Sequence, residues 1–170
     1  MFERRTEKMV IMVKTVKGLH TNQEALPNAI NYIMRGVNKL PEKDRLYGYS
    51  GISNSGSIEE IVQEMMATKR ITQQEDGVQC KHFVINFRSK PKLDRKKLIR
   101  RIERSVGFWK RRYQLFWGVH CVPDKDGNDN WHVHLMLNSV DMVTGKKIDI
   151  SGKLIRKFKK EVRDLWADVA

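Results

Sequence analysis

The apolar positions of the chain change period several times, and each change marks an element. Residues 10–13, Val-Ile-Met-Val, form a short apolar run rich in β-branched side chains, which predicts a buried strand. Over residues 26–36, Leu26, Ala29, Ile30 and Ile33 fall at helical spacing, Pro27 suits the first turn and Gly36 suits the end. The Gly- and Ser-rich residues 48–56 read mostly as loop. Ser57-Ile58-Glu59-Glu60 has the form of a capping box, opening a second helix with Ile58, Ile61, Val62 and Met65 as its core stripe.

Residues 82–88 alternate, with Phe83, Ile85 and Phe87 on one face and His82, Val84, Asn86 and Arg88 on the other, as in a half-buried strand. Residues 94–106 form a helix with Leu98, Ile99, Ile102 and Val106 inward. Two further strands, 114–122 and 131–140, flank a loop at 123–130, and a turn follows at 143–146. Ser151 caps a last helix with Leu154, Ile155, Phe158, Val162, Leu165 and Trp166 on one face. This mixture, with its hairpin-like pair, predicts an α+β fold: a central antiparallel β-sheet with flanking helices.

Size and charge narrow the function. Residues 1–170 suffice for one core, so they are expected to form a single domain, read as the N-terminal part of a longer protein. Thirty-three Lys and Arg against twenty Asp and Glu give +13, the balance expected for a polyanionic partner such as nucleic acid. No apolar run approaches the ~20 residues of a membrane span, and residues 1–8 are charged rather than signal-like, so no membrane insertion is expected. Cys80 and Cys121 form no CxxC, as expected for reduced thiols in the cytoplasm.

The chemistry concentrates in Trp131-His132-Val133-His134-Leu135. In a strand, His132 and His134 share a face about 7 Å apart. His120, on the preceding strand, can join them across the hairpin. Three neutral imidazoles leave coordination positions open on one divalent cation.

These residues carry a family resemblance. Ala29-Ile30-Asn31-Tyr32-Ile33-Met34-Arg35, then Glu64 to Lys69, then His82-Phe83-Val84-Ile85-Asn86-Phe87, and finally His120 with His132-Val133-His134, Asn138-Ser139-Val140 and Thr144-Gly145-Lys146 stand in a telling order. Together they resemble the relaxases of conjugative and mobilizable elements, within the HUH endonuclease superfamily. Asn86 stands where many plasmid relaxases have serine, and Val122 where many have aspartate; Asp124, Asp126 and Asp129 lie nearby.

The resemblance implies an HUH relaxase-like fold and a metal-dependent, site- and strand-specific DNA nickase. In it Tyr32 attacks a phosphodiester at an origin of transfer, leaving a 5′-phosphotyrosine and a 3′-hydroxyl that can be rejoined. A phenol titrates near pH 10, so it needs activation. Tyr47, Tyr49 and Tyr113 are the other tyrosines. One divalent metal is implied on His120, His132 and His134, Mg or Mn foremost, with Ni, Co or Zn also compatible with the imidazoles. Single-stranded DNA is the implied partner, together with conjugation accessory and coupling proteins. Arg35, Asn86, Arg88, Lys96, Lys97, Arg100, Arg101, Lys153 and Lys157 are candidate DNA contacts. In rolling-circle replication initiators and transposases the tyrosine follows the HxH strand; none follows His134, which favours a relaxase. A replication initiator or transposase domain, a non-catalytic single-strand binder and a nuclease using water remain the alternatives.

Overall fold

The computed structural model describes residues 11–16, 21–53, 56–89 and 94–167. Val10 of the expected first strand, residues 1–8, and Asn54 and Ser55 of the expected loop lie outside them. Among the described residues there are five strands, β1 (Met12–Thr15), β2 (Tyr47–Ser50), β3 (Cys80–Ser89), β4 (Tyr113–Pro123) and β5 (Asp129–Asp141), and four helices. The helices are α1 (Ala25–Val37), α2 (Ile58–Ile71), α3 (Arg95–Gly107) and α4 (Gly152–Trp166), with a 3-10 turn at Glu42–Asp44. The sheet order is β1-β3-β5-β4-β2, and the neighbours pair antiparallel. The expected α+β architecture is therefore the observed one.

The sheet buries both faces. On the back, Phe83, Ile85 and Phe87 of β3, Val133, Leu135 and Leu137 of β5, and Leu115, Trp117 and Val119 of β4 pack under α3 and α4. On the front, Phe116, Met136 and Cys80 pack under α1 and α2. The period-2 alternation decides which side chains enter which core. The helices start where their polar caps dictate. Ser57 and Glu60 close a full capping box on α2, Asp94 accepts from the Lys96 and Lys97 amides, and Ser151 accepts from Leu154. Each such cap stabilises by about 1 kcal/mol.

Three local readings need correction. β1 runs two residues later than the apolar run suggested. It is an edge strand, with Val13 buried but Met12 47% exposed, because only β3 pairs with it. Residues 48–50 of the expected loop join Tyr47 in β2, the opposite edge, where Gly48 faces Trp117. A Cβ on Gly48 would meet the indole at 2.7 Å, so the glycine there makes room for a ring instead of marking a loop. α1 runs one residue beyond Gly36, where the helix was expected to end.

Candidate active site

Helix α1 has a simple amphipathic logic. Leu26, Ala29, Ile30, Ile33 and Val37 are buried, which fixes the rotation of the helix about its axis. Tyr32, between Ile30 and Ile33, is left 49% exposed at the edge of that stripe. Two glycines fix how closely the helix approaches the sheet. A Cβ on Gly118 of β4 would run into Ile33 and come within 2.9 Å of Val37 Cγ2. One on Gly36 would enter the ring of His120, all three of its nearest atoms belonging to that imidazole. Missing side chains on both partners thus let α1 settle against β4.

The strand register assembles the imidazoles beneath the tyrosine. His120 and His132 face each other across β4 and β5. His134 sits one row along, between Gly118 on β4 and Val84 on β3, and His82 on β3 lies opposite Met136. The Tyr32 ring stands edge-on to three of these rings, with centroids 5.5 Å from His134, 5.7 Å from His120 and 6.5 Å from His82. Within the cluster, His120 and His134 are 4.1 Å apart, His82 and His134 5.1 Å, and His132 and His134 6.3 Å. The shared face expected for His120, His132 and His134 is present. His82 joins it, and its ring lies closer to His134 than that of His132.

Hydrogen bonds specify the ring nitrogens. His120 Nε2–H donates to the Ile33 carbonyl at 2.7 Å, leaving Nδ1 bare. His134 Nδ1 lies 3.0 Å from His82 Nε2. His134 Nε2 is buried without a hydrogen-bond partner, as is Asn86 Oδ1, on the residue opposite His132. Burial, with repulsion from His120, His82 and His132, pushes His134 down to about 2. Burial likewise lowers His120 and His132. The rings are thus held neutral, the form in which imidazole ligates a metal.

Among the described residues no three His, Cys, Asp or Glu side chains close into a ready-made metal cage. The donor chemistry nonetheless fits a divalent ion. An orphaned nitrogen on His134 and a bare one on His120 belong to neutral rings whose other nitrogens are already hydrogen-bonded, the usual outer arrangement of metal-binding histidines. Asp124 serves the hairpin instead: it accepts from the Asp126 and Asn128 amides and lies 3.8 Å from Arg88 Nε. Val122, at the position where aspartate is common, is 53% exposed.

The remaining predicted residues divide between the two faces. Arg35, one turn after Tyr32, and Arg88, beyond Asn86 on β3, are exposed on the histidine side. Lys96, Lys97, Arg100 and Arg101 on α3, and Lys153 and Lys157 on α4, belong to the back layer, across the sheet from Tyr32. Tyr113 is buried in that back core against Trp109, and Tyr47 stacks on Phe116. Lys14 and Lys39, absent from the sequence-based set, are close enough to disfavour protonation of His132 and His120 respectively. His82 was also absent from that set. Its parity with Asn86 placed it on the right face, but only the β3–β5 register brings it to His134.

A family profile described as a MobA/VirD2-like relaxase nuclease domain matches residues 32–168. No curated protein matches the chain. Among the described residues no helix is long and apolar enough to cross a membrane. With a five-stranded antiparallel sheet, a histidine cluster and a half-exposed tyrosine above it, the chain belongs to the MobA/VirD2-like relaxases, and its domain is the DNA-nicking nuclease of mobilization.

Proposed function

We propose that the domain nicks and rejoins one DNA strand at an origin of transfer, with Tyr32 as nucleophile and His120, His132 and His134 as holders of one divalent metal. The observation that carries this reading is the position of the Tyr32 ring, half exposed and 5.5 Å from His134. Of the four tyrosines, it is the one whose ring contacts the histidines.

The reaction is an in-line exchange of esters. Tyr32 Oη forms a bond to the scissile phosphorus and loses its proton. The bond from phosphorus to O3′ breaks, and O3′ takes up a proton. The products are a 5′-phosphotyrosine and a free 3′-hydroxyl, and because the ester is conserved the same atoms can run the step backwards. A divalent metal, Mg or Mn foremost, supplies a Lewis acid for the non-bridging phosphate oxygens when bound. The residues do the positioning. The buried stripe of α1 aims Tyr32, and the Ile33 carbonyl orients His120. Arg35, Arg88, Lys14 and Lys39 supply positive charge on the same side for a single strand entering there. Asn86, its carbonyl oxygen buried without a partner, offers its amide to the same strand. Accessory and coupling proteins of conjugation are the partners this reading carries with it.

The test is covalent trapping. The protein is incubated with Mn²⁺ and labelled single strands tiled across the intergenic DNA around its own gene, then denatured. An adduct on one strand only, mapped by mass spectrometry to Tyr32, is the expected result. A cleaved strand ending in a free 5′-phosphate with no adduct would identify a nuclease that uses water. An adduct on Tyr47, Tyr49 or Tyr113 would overturn the assignment of the nucleophile.

A further inference from the structure

We propose that His82 is a positioning residue: its Nε2 accepts a hydrogen bond from His134 Nδ1–H and so holds His134 in the tautomer whose Nε2 is a bare lone pair. The inference rests on the reading of His134 as a metal ligand and adds a residue that the HxH pattern does not contain.

The geometry has few alternatives. The two nitrogens are 3.0 Å apart, and both residues are buried, at 5% and 4% exposure. One proton lies across that contact, carried by one nitrogen or the other. If His82 were the donor, His134 would carry its own proton on Nε2, a buried N–H with no acceptor. With His82 as acceptor, no N–H of His134 is stranded, and the orphaned atom is a lone pair, which a cation can satisfy. His120 is arranged in parallel, its Nε2–H held by the Ile33 carbonyl. One imidazole is thus oriented by the main chain of α1 and the other by a side chain of β3. His82 also touches Tyr32, at 6.5 Å between ring centroids, so it borders both chemical partners. Such outer partners typically change metal affinity by about 10–100-fold when removed.

The experiment reads the tautomer directly in metal-free protein labelled with ¹⁵N-histidine, using long-range ¹H–¹⁵N correlation. His134 is expected to show a protonated Nδ1 and a bare Nε2. His82→Phe keeps a ring but removes the acceptor. It should shift His134 toward the other tautomer and weaken Mn²⁺ binding, measured by calorimetry, by about 10–100-fold. His82→Gln retains a carbonyl that can accept, so it should preserve the tautomer and most of the affinity. It also decides the matter if His82→Phe fails to fold. A wild-type His134 protonated on Nε2 would overturn the inference. So would a folded His82→Phe variant that keeps the wild-type tautomer and binds Mn²⁺ equally well. Because the tautomer is read without metal, a wild-type protein that binds no Mn²⁺ would instead overturn the metal reading.

Discussion

Gly36→Ala sets two opposing effects against each other. In an ordinary helix interior, alanine in place of glycine stabilises by about 0.8–1 kcal/mol. Here the new methyl would enter the His120 ring, which is 8% exposed and tied through Nε2 to the Ile33 carbonyl at 2.7 Å. Overpacking a filled interior costs about 1–3 kcal/mol. If the ring yields instead, it loses a hydrogen bond with a net value near 1 kcal/mol. The clash wins, leaving a net destabilisation of up to about 2 kcal/mol, roughly a 1 M drop in the urea midpoint. Gly107→Ala is the control, since a Cβ there meets nothing within 4 Å and it closes α3; that variant should be neutral or slightly more stable. Either response at Gly36 moves His120 relative to Tyr32, so nicking should fall by at least about tenfold, since misplacements near 1 Å can cost more than that. A Gly36→Ala protein that melts above wild type and nicks at the wild-type rate would refute the account of how α1 is seated.

Tyr32→Phe removes one atom from a half-exposed ring, so its melting should stay within about 0.5 kcal/mol of wild type while adduct and nick disappear together. The stability of the metal-free protein should fall in acid. His134 is held at about 2 in the fold against an unfolded value near 6.5, so the unfolded chain binds the extra proton as the pH drops below 6.5. Each unit below that point should cost about 1.4 kcal/mol from His134 alone, read by urea melts between pH 7.5 and 5, and a flat profile would show that the ring is not buried neutral. Replacing Lys96, Lys97 and Arg100 together with alanine should leave nicking of a short single strand nearly unchanged. Arg35→Ala should weaken binding of that strand and reduce the log–log salt slope by about 0.7; the reverse ranking would place the strand on the back of the sheet.

What could be read from the sequence follows from which interactions are local. The parity of β5 put His132 and His134 on one face, the short hairpin brought His120 opposite, and the caps Ser57 and Ser151 gave the starts of α2 and α4. Each depends on neighbours within a turn, a strand or a hairpin. Three things depended on distant partners and were missed. Gly36 looked like a helix stop because its reason for being glycine is a ring 84 positions away in the chain. Residues 48–50 looked like loop because Gly48 makes room for Trp117. His82 became visible only with the register that sets it at Met136, diagonal to His134.

The placement of the basic helices is the same problem at larger scale. Hydrophobic stripes show that α3 and α4 lie on a sheet, but they do not show which face. Both cover the back, with Phe83, Leu135 and Trp117 between them and the histidines. Their outer charges therefore stand across two packing layers of roughly 10 Å each from the front helices. Screening at physiological salt has a length of about 8 Å, so under the proposed function those charges would raise the local concentration of DNA but would do little for a phosphate held at Tyr32. In the proposed reading, holding that phosphate would fall to the front: Arg35 on the helix of Tyr32, Lys39 just after it, Lys14 on the edge strand and Arg88 beyond Asn86. The proposed function thus divides long-range attraction and local positioning between the two faces of one sheet, and a net charge of +13 measures only their sum.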